Sequence, residues 1–212
     1  MDRPEPRWQV VLALLAVAVI YWALPRELVV GPTWLVPAAV VVLLVPTVFA
    51  HRTGRHSLNH ALGIAIGTII TLGLIVSVGL LVVSLAGTKE PPLALLRSGA
   101  ALWATNILVF ALWYWRLDGG GPRKRETQRE FGSRSFVFPQ MQIVKDERAE
   151  FGADRWRPGF VDYLFIAFTT SSTFGPTDSP VLAPWAKVLS MAQASISLTI
   201  VVLLISRAVG LL

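Results

Sequence analysis

The strongest constraint on the fold comes from long runs of sequence without a charged residue. Three runs, Trp8–Leu24, Val29–Ala50 and Ala61–Ala86, contain no Asp, Glu, Lys or Arg. A helix needs about 20 apolar residues to cross the hydrocarbon core of a bilayer, so each run predicts a transmembrane helix. Two further runs, Leu93–Trp115 and Val188–Val209, each hold one arginine near an end, from where its long side chain reaches the headgroups. The sequence thus predicts five transmembrane helices.

Composition excludes a water-soluble protein. Of the 212 residues, 54% are hydrophobic and 15% are charged, whereas soluble domains carry about 25% charged residues. The chain has no cysteine, which excludes disulfides, thiolate metal sites and a cysteine nucleophile. It also lacks the nucleophile-elbow, phosphate-loop and zinc-protease motifs. We therefore expect neither an enzyme nor a bound cofactor or metal.

A polar, basic stretch, residues 116–158, separates the fourth and fifth runs and holds ten Lys or Arg and seven Asp or Glu. We predict a surface loop there, with one hairpin near Phe136–Ile143. With five crossings, this loop, the N-terminal tail and the second connection share one side, which carries fourteen basic residues against three on the other. Because basic residues concentrate in cytoplasmic loops, the loop is predicted to be cytoplasmic. Its charge indicates membrane lipids as partners and argues against nucleic acid.

A short apolar piece before the last run predicts a half-helix. A helix over Val161–Ser172 is roughly 18 Å long, little more than half the hydrocarbon core. Gly175 and Pro176 then prevent its continuation. Bare backbone at membrane depth occurs where it is buried in protein or lines a wet cavity. We therefore predict a re-entrant, pore-loop-like segment that enters the membrane and returns before the last span.

Hydroxyl side chains follow the half-helix and suggest two interpretations. In the first, an ion path is lined by the turn, with a carboxylate at its mouth. In the second, the turn is a structural plug whose hydroxyls bond to their own backbone. The residues concerned are Thr170, Ser171, Ser172, Thr173, Phe174, Gly175, Pro176, Thr177 and Asp178. For Asp162, at the start of the half-helix, a capping role is favoured.

Three polar side chains within the predicted spans have the same two possible roles. Gln193 and Ser197 lie in the last span and Asn106 lies midway along the fourth. Polar groups in hydrocarbon face protein or water, so these residues either hydrogen-bond between helices or line a pore. The first role is favoured for Gln193.

The segment from Phe168 to Lys187 and the span after it resemble the pore helix, filter and inner helix of potassium-type channels. In that family Thr-x-Gly-Tyr-Gly-Asp is usual, and Thr173, Gly175 and Asp178 match it. Pro176 and Thr177 stand where the family has Tyr and the second Gly, which argues against a potassium-selective ladder of carbonyls. The resemblance implies a homotetramer passing small cations, with a pore loop entering from outside, opposite to the side that the charge count predicts.

Over most of its length the chain also resembles an uncharacterised family of small five-helix prokaryotic membrane proteins. The shared features are four spans, a Phe-Pro element such as Phe138-Pro139, a Phe-rich half-helix, and a Thr-Phe-x-x-x-Asp turn, here Thr173 to Asp178. This resemblance implies a multi-pass protein of a prokaryotic plasma membrane and no particular activity.

These observations predict an all-α membrane protein in three regions. They are a four-helix transmembrane region (1–115), the polar loop (116–158), and a C-terminal region (159–212) with the half-helix, the turn and the last span. The function expected is a channel-like oligomer for small ions, with cations favoured. The alternative is a non-conducting scaffold that binds lipids or a protein partner.

Overall fold

The computed structural model describes residues 6–53, 55–87, 92–127, 134–153, 156–175 and 178–209. Over these residues the protein is all-helical, with a single isolated β-bridge. The helices are α1 (Trp8–Ala23), α2 (Leu35–Arg52), α3 (His56–Gly87), α4 (Pro92–Leu117), α5 (Pro122–Thr127), α6 (Pro139–Gln142), α7 (Phe160–Thr173) and α8 (Pro184–Val209). The chain divides into two compact units, one of residues 1–10 and 110–195 and one of residues 11–109 and 196–212.

Three helices, α3, α4 and α8, are long and apolar enough to cross a membrane. The protein is therefore a helical membrane protein, although the structure supports three spans by length where the sequence predicts five. The first apolar helix, α1, has only 16 residues, because Pro25 and a 3₁₀ turn follow it. The second apolar run begins its helix at Leu35, six residues later than predicted, since Gly31 takes a positive φ of 84° and Pro32 follows it.

In the unit of residues 11–109 and 196–212, α1 packs closely on α3. The Tyr21 hydroxyl is buried and lies 3.5 Å from the carbonyl oxygen of Ile70, to which it donates. Gly73 permits this approach, because a Cβ atom added there would lie 3.0 Å from the Tyr21 hydroxyl oxygen. Gly73 therefore serves the close packing of α1 on α3.

Replacing Gly73 by Val is expected to push α1 away from α3 and lower the free energy of unfolding by about 2 kcal/mol, the usual cost of overpacking. Thermal unfolding in detergent measures the effect. Gly79→Val is the matched control on the same helix, since nothing lies within 4 Å of a Cβ atom added there. Equal melting temperatures for the two variants would contradict this packing.

In the unit of residues 1–10 and 110–195, a segment of the polar loop is buried among aromatic rings. Phe136 is fully buried, and its ring lies 5.0 Å from that of Tyr114 and 6.2 Å from that of Tyr163. The predicted hairpin around Phe136 is wrong over the residues that the structure describes. Phe136 instead forms an antiparallel bridge with Val181, in the segment between α7 and α8. This pairing anchors the chain that precedes α8.

Candidate functional site

The half-helix predicted from the sequence is present as a helix, α7, of 14 residues. At its first turn the Asp162 carboxylate accepts a hydrogen bond of 2.7 Å from the amide of the N-cap residue, Gly159. The capping role predicted for Asp162 is confirmed. The helix ends at Thr173, and Phe174 after it is the only non-glycine residue with positive φ (59°) in the described part of the chain. This conformation costs an L-residue about 1–2 kcal/mol, so the turn after α7 is held by its surroundings.

Helices α7 and α8 start at the same level and run in the same direction. Near their first turns, Tyr163 and Trp185 both contact the Phe136 ring, with centroids 6.2 and 6.1 Å away. Two turns further along α8, the Gln193 side-chain amide donates to the Ala167 carbonyl at 2.7 Å. The end of α7 and the start of α8 are therefore separated by about the length of α7, roughly 21 Å for a 14-residue helix. Ten residues join them, and an extended chain of ten residues covers about 33 Å.

Gln193 is the polar centre of this unit and is fully buried. Besides Ala167, its amide nitrogen donates to the Ser171 hydroxyl at 2.8 Å, and its oxygen accepts from the Tyr114 hydroxyl at 2.6 Å. One side chain thus joins α4, α7 and α8. Within the chain, Gln193 forms the helix-to-helix hydrogen bonds that the sequence favoured for it.

The hydroxyls at the end of α7 donate to their own helix. Ser172 donates to the Phe168 carbonyl at 2.8 Å, and Thr173 to that of Thr169 at 2.7 Å. Both side chains are exposed. The Thr173 hydroxyl also lies 2.7 Å from the Gly175 carbonyl, so its single hydrogen has two acceptors within reach. Because both side chains are exposed, their hydroxyl oxygens can also accept a hydrogen bond or contact a cation.

The other predicted site residues lie in different environments. Thr170 is fully buried, and its hydroxyl has no hydrogen-bond partner among the described residues. Phe174 and Asp178 are exposed, Gly175 is half-buried, and Pro176 and Thr177 lie outside the described residues. Ser197 and Asn106 belong to the other unit, where both are buried and Ser197 accepts from the Trp103 indole at 3.0 Å. The part of the chain that the structure describes has no group of three or more His, Asp or Glu placed to bind a metal.

Sequence reasoning missed the buried carboxylate at the start of the polar loop. Asp118 is fully buried and accepts hydrogen bonds from the Ser135 amide at 2.6 Å and the Tyr163 hydroxyl at 2.7 Å. It therefore holds the end of α4, the loop and the first turn of α7 together. The available signal was its position directly after a long helix and before three glycines, a pattern typical of a helix C-terminus.

Comparison with known proteins adds no relative: no protein-family model matches the chain, nor does any curated protein or solved structure. The length and apolarity of its helices place the chain in the class of helical membrane proteins.

Proposed function

We propose that the protein is a channel-like homo-oligomer of a prokaryotic plasma membrane that passes small ions, with cations favoured. In this proposal all five apolar runs cross the bilayer. Helix α7 enters part-way, residues 174–183 return, and α8 crosses. The observation that supports this most strongly is the parallel course of α7 and α8, joined by a returning segment. A pore loop needs this topology, because the short helix and the last span must start at the same membrane surface.

The chemistry of the turn favours cations. Ser172 and Thr173 are exposed at the end of α7, and Asp178 is exposed beyond them. One copy supplies one wall of a path, so several copies must surround an axis, and the pore-loop resemblance makes four the proposed number. Gln193 is assigned a positioning role, since its hydrogen bonds fix α7 against α4 and α8.

We also propose that the chain is related to the two families that its sequence resembles. Thr173, Gly175 and Asp178 support the likeness to the pore unit of potassium-type channels, whereas Pro176 and Thr177 depart from it. We propose a cation path without a potassium-selective carbonyl ladder, and no enzymatic activity. For orientation we follow the charge count, which puts the polar loop in the cytoplasm and makes α7 enter from inside.

Flux into liposomes tests the proposal. The purified protein is expected to admit K⁺ or Na⁺, and Asp178→Asn is expected to lower the rate by about tenfold at low salt, because a mouth carboxylate concentrates cations locally. The reduction should shrink at high salt as the charge is screened. Asp146→Asn is the matched control, an exposed acid in the polar loop. Absence of flux in the wild-type protein, or equal rates for the two variants, would refute the ion path.

A non-conducting scaffold is the second candidate, and a specific observation favours it. The hydroxyls of Thr169, Ser172 and Thr173 all donate to backbone carbonyls of α7, as a structural plug would require. In that case α7 serves to brace α8. Co-purification of a specific lipid or protein, without ion flux, identifies this function.

A further inference from the structure

In the turn after α4, the side chains of Arg134 and Lys124 lie close to the backbone of glycine residues. Gly119, Gly120 and Gly121 have φ values of 57°, 76° and 97°. A Cβ atom on Gly119 would lie 3.0 Å from Nη1 of Arg134, and one on Gly120 would lie 3.3 Å from Nζ of Lys124. Glycine at these positions therefore permits both the left-handed backbone and the close approach of the two cationic groups.

Two of the guanidinium groups at this turn are buried. Arg125 donates from Nη1 to the carbonyl oxygens of Trp115 at 2.6 Å and Asp118 at 2.8 Å, and its guanidinium lies 5.0 Å from the centre of the Tyr163 ring. The Arg134 side chain is 5% exposed, and its Nη1 lies 4.0 Å from the Asp118 carboxylate. Neither Nε nor Nη1 of Arg134 has a hydrogen-bond partner among the described residues.

Among the described residues, two guanidinium groups and one carboxylate act on the charge of Arg134. Burial lowers the pKa of Arg134, and the nearby charges of Arg125 and Arg157 lower it further, while Tyr163 and Asp118 act in the opposite direction. Asp118 already accepts hydrogen bonds from Ser135 and Tyr163. The carboxylate of Glu126, in α5, pairs instead with Arg7 at 3.4 Å. An added anion would relieve the repulsion among these guanidinium groups.

We propose that this turn is a binding site for a phosphate group, with Lys124, Arg134 and Arg157 as its ligands and Arg125 as a buried supporting charge. Guanidinium groups match the geometry of phosphate oxygens and bind them through paired hydrogen bonds. Lys124 and Arg157 are exposed, so a ligand can reach them from solvent or from the headgroup layer. The site is independent of the proposed ion path.

The phosphate group can come from a lipid headgroup or from a soluble compound. The turn directly follows α4, whose last residues include Trp113 and Trp115, and tryptophans typically mark the level of the headgroups. Basic pockets at this level bind anionic phospholipids. A soluble phosphate compound offers the same chemistry, so the test includes both.

Native mass spectrometry of the full-length protein in detergent tests the site, with phosphatidic acid as the lipid probe and pyrophosphate as the soluble probe. We expect phosphatidic acid or pyrophosphate to bind. The Lys124→Gln/Arg157→Gln variant should bind that probe at least about tenfold more weakly, because charge-assisted hydrogen bonds are lost. Arg55→Gln is the matched control for removal of a positive charge, since Arg55 is an exposed residue of the α2–α3 connection.

The binding results distinguish a lipid headgroup from a soluble phosphate compound, and they also test whether the phosphate site exists. Binding of phosphatidic acid but not pyrophosphate identifies a lipid headgroup, and binding of pyrophosphate identifies a soluble ligand. Either result supports the site when the double variant loses it and Arg55→Gln keeps it. Binding of neither probe, or equal binding by the wild-type protein and a double variant that keeps its melting temperature, overturns it.

Discussion

Replacing Asp118 by Ala is expected to lower the free energy of unfolding by about 3–5 kcal/mol, the range for removing one partner of a buried ionic network. Asp118 is fully buried, and its carboxylate accepts from the Tyr163 hydroxyl and the Ser135 amide. The Asp118 carboxylate also lies 4.0 Å from Nη1 of Arg134. Without Asp118, the buried Tyr163 hydroxyl loses its hydrogen-bond acceptor and the Arg134 guanidinium loses a nearby negative charge. The first turn of α7 then loses its attachment to the end of α4.

Thermal unfolding in detergent measures this effect, and protease cleavage in the polar loop reports the local loss of structure. Asp146→Ala is the control, because Asp146 is an exposed acid of the same loop. Exposed substitutions usually change stability by no more than about 0.5 kcal/mol. If Asp118→Ala melts like Asp146→Ala, the buried network does not hold α7 in place.

Gln193→Leu is the second substitution with a large expected effect. Leucine is similar in size but removes the hydrogen bonds that join the Gln193 side chain to Tyr114, Ala167 and Ser171. Unsatisfied buried polar groups cost about 1–3 kcal/mol each, so we expect a loss of about 3 kcal/mol. We also expect loss of the ion flux proposed above, since the end of α7 would no longer be fixed against α8.

A double-mutant cycle with Tyr114→Phe checks the mechanism. If Gln193 acts through this hydrogen bond, the two substitutions together will cost less than the sum of their separate effects. Met191→Leu is the control on the same helix, because the Met191 side chain is 62% exposed. Additive effects of Tyr114→Phe and Gln193→Leu would contradict the coupling.

Local sequence signals predicted the helix before the last span and the capping role of Asp162. The helix expected over Val161–Ser172 forms as α7, with Asp162 capping its first turn, because both depend on residues close in sequence. The predicted second span is shorter, since the conformation of Gly31 delays the start of α2. Apolarity alone does not reveal where a turn ends and a helix begins.

The burial of Asp118 and Phe136 could not be predicted, because it depends on residues far away in sequence. Tyr163, which donates to Asp118, lies 45 residues further along the chain. Phe136 pairs with Val181, after α7. A hydrophobic patch in a polar loop indicates burial or a hairpin equally well, and only the tertiary arrangement distinguishes them. The parallel course of α7 and α8 follows from the same long-range contacts.

The central claim, that the turn after α7 lines an ion path, is tested most directly by the symmetry of detergent-purified particles and by the place of residues 173–178 within them. Electron microscopy of such particles gives both. We expect a closed ring, with four copies the favoured number, in which these residues of every copy surround the axis. A monomer, or a ring in which they face the lipid at the periphery, would contradict the claim.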